Sequence, residues 1–302
     1  MPTAAHSVKD LLHNAQLPAL PQSAIRLLEL SQNHDNGPVE FAVPIESDPG
    51  LTGQVLKFVN SSYFGFSREI SSVKLAISLV GVRTIKNFAL WSAVFSLMPN
   101  PKCGPFDLKS LWQDSLRRAL FARAFGKLLG LKDGEELFAA ALLQDMAIPI
   151  LAKEIPQRYV RLLESRSTGA GRLSELERAE LGWTHADAAA FMCRNWSLPE
   201  EFARLIESHT KLDQLNGAAS KDVGSQAVVL SSMLPPCTDP QWWERAGFEA
   251  AFNRLTAGKG KTSLELLKQV DKEFSEFAPV LRIAAPAKSL AQYLEEAVPA
   301  SV

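Results

Sequence analysis

Only three cysteines occur in 302 residues, Cys103, Cys193 and Cys237, and no two form a CxxC pair. That excludes a disulfide framework and a cysteine-rich zinc module, and it suits a reducing compartment. No apolar run approaches the length of a membrane span. The amino-terminal stretch MPTAAHSVKDLLHN lacks a basic region followed by an apolar one, so no secretory signal is expected. Charge of either sign is not in excess: the net charge is −1, which favours neither a nucleic-acid partner nor an anionic membrane. Glycine-rich phosphate loops, dinucleotide fingerprints and nucleophile elbows are all missing. There is no strand-like alternation of useful length and no internal repeat. A cytoplasmic protein follows as the expectation.

Hydrophobic residues make up 46% of the chain, enough for a substantial core, and their spacing is helical nearly throughout. Ala24, Ile25, Leu27, Leu28 and Leu30 share a face after Pro21. Asp48-Pro49 supplies an N-cap and a first-turn proline for a helix running to Asn60. The loop from Ser61 to Ser72 leads to helices over Val73–Val80 and Val82–Leu97, divided at Gly81. Prolines 99, 101 and 105 with Gly104 mark a linker. Asp107 opens a long amphipathic helix through Leu128, with Gly130 near its end. Another helix spans Glu135–Asp145, and Pro149 interrupts the run after it. Ser167–Gly171 reads as a loop. Thr184 caps His185–Trp196, and Ser197 is the candidate cap of a helix that ends near His209. Lys211–Lys221 is polar, a second linker or long loop. Val223–Leu234, Trp242–Leu255 and Ser263–Phe277 complete an all-α chain. Arg117, Arg118 and Arg123 alternate with Leu116, Leu120 and Phe121, which reads as the solvated face of one helix, with a phosphate-binding patch as the alternative.

Three constellations could carry function. Asp114, Gln144, Asp145, His185, His209 and Ser232 each fall on an expected helix or helix end. Imidazoles and carboxylates projecting inward from several helices can hold a metal and leave a position open for water. Taken singly, His185 and His209 read as hydrogen-bonded, half-buried side chains. The second constellation is the loop Asn60, Ser61, Tyr63, Phe64, Gly65 and Phe66. Asn60 caps the helix before it, Gly65 permits positive φ, and the aromatics anchor the loop or form a binding surface between the two halves. The third is Trp242-Trp243 with Phe248 and Phe252, the last two at i, i+4 spacing, which fits packing of a carboxy-terminal helix onto the domain.

From about Leu17 to Leu234 the chain resembles the HDOD family, bacterial domains related to His-Asp phosphohydrolases. The resemblance lies in LPALPQSAIRLLEL, ESDPGLTGQVLKFVNSSYFG, ISSVKLAISLVGVRTIKNFAL, LWQDSL, AALLQDMAIPIL, THADAAAFMCRNWSLPEEFARLIESHT and VVLSSML. It implies an amino-terminal helical part over 1–98, an HD-like helical bundle over 99–234 and a carboxy-terminal extension over 235–302. Catalytic relatives would carry four core ligands, matching Asp114, Gln144, Asp145 and Ser232. Only Asp145 is retained. Asp114 can still meet a hard cation, but Gln144 and Ser232 are neutral oxygen ligands. His185 and His209 match positions that some relatives use for a second metal. The resemblance therefore implies a non-catalytic signalling protein that binds other regulatory proteins, with no metal and no cofactor. Two alternatives remain: a phosphohydrolase acting on a nucleotide or cyclic dinucleotide, and a sensor of a phosphorylated small molecule. The sequence leaves the partner and the oligomeric state open.

Overall fold

A computed structural model describes residues 7–296 apart from 16, 34, 133, 216–221, 280 and 282. Among the described residues there are helices and no strands. They are α1 (Val8–Asn14), α2 (Gln22–Leu30), α3 (Pro38–Glu46), α4 (Pro49–Val59), α5 (Val73–Val80), α6 (Val82–Leu97), α7 (Leu108–Leu128), α8 (Glu135–Leu143) and α9 (Ile148–Glu154). After these come α10 (Pro156–Ser167), α11 (Leu173–Leu181), α12 (His185–Asn195), α13 (Glu200–Ser208), a 3₁₀ turn at Leu212–Leu215, α14 (Val223–Ser231), α15 (Arg245–Leu255), α16 (Ser263–Phe277) and α17 (Leu290–Glu295). None is long and apolar enough to cross a membrane.

Local chemistry sets many of these boundaries. The Asp48 carboxylate accepts from Leu51 N at 3.0 Å and opens α4. The Asn60 side chain closes it: Nδ2 donates to Leu56 O at 2.9 Å and to Ile70 O at 2.7 Å, while Oδ1 accepts from Ile70 N at 2.7 Å. One amide thus ends a helix and pins the far side of its loop. Gly81 has φ 94° and serves as both the end of α5 and the start of α6, a sharp turn that a side chain would strain.

Helix α7 runs through the middle and packs against α8, α14 and α16. Ala119, Leu120, Phe121, Ala122 and Phe125 are buried on all its sides. A Cβ on Gly126 would meet Leu137 Cδ1 at 2.5 Å, so the glycine is what lets α8 lie this close. Arg117, Arg118 and Arg123 are buried as well, which corrects the solvated-face reading. Arg123 lies 3.0 Å from Glu273 of α16 and 3.4 Å from Glu135 of α8. Arg117 donates to Lys288 O and lies 3.2 Å from Cys237 Sγ. These charges enter the interior because acceptors from distant segments meet them.

Several expected boundaries shift. The helix expected to reach Asp145 stops at Leu143, and Asp145 lies in a turn. Pro149 falls in the first turn of α9 and starts that helix. Ser197 does not cap α13, whose N-cap is Pro199; Ser197 instead takes φ 55° in the turn between α12 and α13. Of Lys211–Lys221, residues 216–221 lie outside the described set. Helices α1, α3, α9, α10, α11 and α17 are not among the expected elements. The aromatic tail packs as expected, with Phe248 and Phe252 fully buried against Phe121 and Phe125.

Candidate functional site

Helix ends converge on one cavity of about 150 Å³ in the second half of the chain. Helix α7 presents Asp114 and Arg118, four residues apart on one face. The turn after α8 presents Asp145. His185 is the first residue of α12, placed by its N-cap Thr184, and His209 is the C-cap of α13. Ser232 is the C-cap of α14. Five of the six site residues expected from sequence therefore line the same space.

Gln144 does not. Its side chain is buried and turned to Ser231, whose Oγ lies 3.4 Å from Gln144 Oε1, and the amide nitrogen finds no hydrogen-bond acceptor. The expectation that Gln144 belongs to the remnant pocket is corrected. A helix C-cap and the first turn residue beyond it point in different directions, so neighbours in sequence serve different environments here.

Asp145 is the hub. Oδ2 pairs with the Arg118 guanidinium. Oδ1 lies 3.4 Å from His185 Nε2 and 3.6 Å from His209 Nε2. Burial opposes its charge, but Arg118 and the two imidazoles outweigh burial and hold its carboxyl well below the usual range. Behind His185 stands Glu177, fully buried on α11. Its Oε2 accepts from His185 N at 2.8 Å and lies 2.6 Å from His185 Nδ1; its Oε1 accepts from Tyr159 OH at 2.5 Å. Burial pulls His185 down, yet Glu177 and Asp145 overcome it and lift the imidazole to about 9. His209 Nδ1 lies 2.5 Å from Ile206 O, and burial lowers its pKa.

Asp114 accepts from Cys237 N at 2.8 Å, and burial raises its carboxyl despite nearby Arg118. Ser232 Oγ donates to His209 O at 2.8 Å and receives Arg172 Nη2 at 2.8 Å. Arg166 lies 2.8 Å from Asp239 and 3.0 Å from Glu244 across the mouth. Arg166, Arg172, Glu177, Asp239 and Glu244 are not among the site residues expected from sequence, and Arg118 is expected only as part of a solvated face. Arg118 had a local signal in its i, i+4 spacing from Asp114. The others had none, since their partners lie on other helices.

Burial, only partly offset by Arg166 and reinforced by Glu244, raises Asp239 to about 7. A carboxyl raised on folding contributes stability that is complete below the unfolded value and is lost as pH rises through about 7. Asp239→Asn removes that loss. Its stability relative to the parent should climb by about 2–4 kcal/mol between pH 4 and pH 8. Melting temperatures of both proteins across that range check the sign.

The loop from Asn60 to Phe66 sits apart from this cavity. Tyr63 and Phe64 turn inward, with ring centroids 5.1 Å from Phe277 and 4.9 Å from Phe58 respectively. Arg123 lies over the Tyr63 ring at 5.3 Å. Phe66 is 38% exposed and stacks on Phe64. Ser61 Oγ donates to Phe58 O, and Gly65 has φ 64°. Anchoring accounts for Tyr63 and Phe64; Phe66 alone faces outward.

The helical arrangement and the cavity built from helix ends define a class, and comparison with known proteins gives it a name. The HDOD domain pattern matches residues 17–212, and the chain belongs to the HDOD family. An HDOD domain protein of unknown function from Geobacter sulfurreducens superposes with a TM-score of 0.71 at 18% identity, covering 92% of this chain and 97% of that one. A Shewanella amazonensis SB2B protein, provisionally named a phosphohydrolase, gives 0.68 at 19% identity, covering 91% and 98%. An uncharacterized protein of Treponema pallidum is 23% identical over 212 residues, which are 69% of this chain and 40% of that protein. At these identities the structural likeness shows the fold alone.

Proposed function

We propose that this HDOD protein is a non-catalytic regulatory module of a bacterial signalling system, acting through contact with other proteins. The observation that carries the reading is the state of the dyad position. Gln144 faces Ser231, away from the cavity, and the carboxylate beside it is held by the Arg118 guanidinium. A metal centre of the His-Asp kind needs the dyad imidazole and a later carboxylate. Here a buried amide and a serine hydroxyl already bonded to His209 O stand in those places. That ligand set does not fit the ion, and no hydrolytic step follows from it. A Marinobacter aquaeolei VT8 protein provisionally named for signal transduction has a related fold, with a TM-score of 0.66 at 20% identity. On the surface, α3 and α5 pack together and expose Val39, Val43, Leu75 and Leu79 at i, i+4 spacing, apolar area of the kind that partners cover.

The purified protein should turn over neither nucleotides nor cyclic dinucleotides when supplied with manganese. Turnover that survives repurification and disappears in Asp145→Ala would overturn the reading. A second reading, a sensor of a phosphorylated small molecule, is favoured by Arg118, Arg166 and Arg172 lining one cavity. Thermal shift against a nucleotide panel separates it: a rise in melting temperature with one compound, without turnover, selects the sensor.

A further inference from the structure

Among the described residues six large apolar side chains are exposed, and four of them, Val39, Val43, Leu75 and Leu79, stand on α3 and α5. Each helix already has a buried face: Phe41, Ala42, Pro44 and Ile45 on α3, and Val73, Ala76 and Ile77 on α5. Burial of those faces completes the fold, so the outward valines and leucines are surplus to it. The two helices pack against each other, which brings the two apolar rows together. At 45–63% exposure the four residues present roughly 350 Å² of apolar surface in one place, where single scattered residues are the norm.

The charges on these helices are segregated. Both charged residues of α3 are acidic, Glu40 and Glu46, and the one charged residue of α5 is Lys74; all three are exposed. The Glu40 carboxyl is held below its usual range by the N–H groups of Gly37 and of its own residue and, more weakly, by Lys74. Lys74 therefore lies on the α3 side of α5. A surface with its acids on one helix and its base on the other complements itself when turned about a two-fold axis. Laying α3 on its own copy would set Glu40 and Glu46 against the same acids. Laying α3 on the α5 of a second copy instead sets Glu46 against Lys74 twice, and each valine row against a leucine row. A two-fold contact of standard size takes about 800 Å² from each partner. The apolar rows supply almost half of that, and the stem of Lys74 with the exposed Ser72 and Ser78 extends it.

We propose that α3 and α5 form a two-fold interface between two copies of this chain, with α3 of one copy on α5 of the other. The regulatory reading points to the same face, but the dimer does not depend on it and forms whether or not the module signals. A contact of this size is reversible and dissociates at micromolar concentrations.

Sedimentation equilibrium of the full chain tests it. The parent should pass from monomer to dimer over roughly 1–100 μM. Val43→Glu and Leu79→Glu change exposed positions, so both should keep the parent's melting temperature while raising the dissociation constant at least about tenfold. Glu46→Lys and Lys74→Glu should each weaken self-association, because like charges then meet at both ends of the interface. Mixed in equal amounts, these last two variants should pair with each other more tightly than either pairs with itself, since both contacts regain opposite signs. A parent that stays monomeric up to about 1 mM overturns the dimer and leaves the face to a different protein. A dimer that survives both Val43→Glu and Leu79→Glu, or charge variants that show no preference for each other, overturns it as well, because the contact then lies elsewhere or in another order.

Discussion

Replacing Arg118 with methionine is expected to lower the unfolding free energy by about 3–5 kcal/mol, the range seen when one partner of a buried ion pair is removed. The loss comes less from the missing attraction than from what is left behind: Asp145, 3% exposed, keeps its charge with only the imidazoles at Oδ1 to offset it. The double variant Arg118→Met/Asp145→Leu should therefore be more stable than Arg118→Met alone, since it removes the stranded charge too. Urea unfolding of the parent, both single variants and the double variant measures the coupling. Additive losses would mean that the pair is not the unit described here. The pH dependence has a fixed sign. Asp145 is depressed in the folded protein, so the pair's contribution is present above the ordinary carboxylate range and is lost as pH falls through the folded value. The gap between parent and Arg118→Met should narrow on acidification.

Glu177→Leu should be as damaging, on the order of 3–5 kcal/mol, because it orphans several donors in the interior at once. Tyr159 OH, His185 N and His185 Nδ1 all meet this one carboxylate. Glu177→Gln is the informative companion, since it keeps the volume and one acceptor oxygen but removes the charge. Burial then works on His185 with less opposition, and its pKa should fall from about 9. An NMR titration of the His185 ring in the two proteins reads this directly. An unchanged His185 would assign its elevation to Asp145 alone.

Helical periodicity carried most of the fold. The stretches with a clean apolar stripe and a capping residue, such as α4 with Asp48 and α12 with Thr184, fall within a residue or two of their expected ends. Helices α10 and α11 lie among polar residues that mask their apolar stripe, although Pro156 opens the first and Gly182, with φ 82°, closes the second. Five of the six expected pocket residues line one cavity, and it was a resemblance that put them in register. Gln144 was misplaced because register says which residue is present and not where a helix stops. The three arginines of α7 were misread for a related reason. An arginine that alternates with leucine looks solvated unless its acceptor is seen, and these acceptors come from other segments, Glu273 and Lys288 among the most distant. Nothing in local spacing announces a pairing across 171 residues.

The fastening of α7 to the last helices has a consequence for the order in which the protein matures on the ribosome. Gln113 donates to Ala284 O at 2.8 Å, Arg117 reaches Lys288 O, and Arg123 meets Glu273 at 3.0 Å. Asp271 then holds the start of α17 by accepting from Leu290 N and Ala291 N, both at 2.9 Å. All these acceptors are made long after α7 itself. Until they emerge from the exit tunnel, Gln113 and Arg117 lack these carbonyl acceptors and Arg123 has Glu135 but not Glu273, so this side of the central helix stays open to water. The nascent chain should therefore stay open along that seam, and accessible to chaperones or proteases, until residues near 290 have been synthesised.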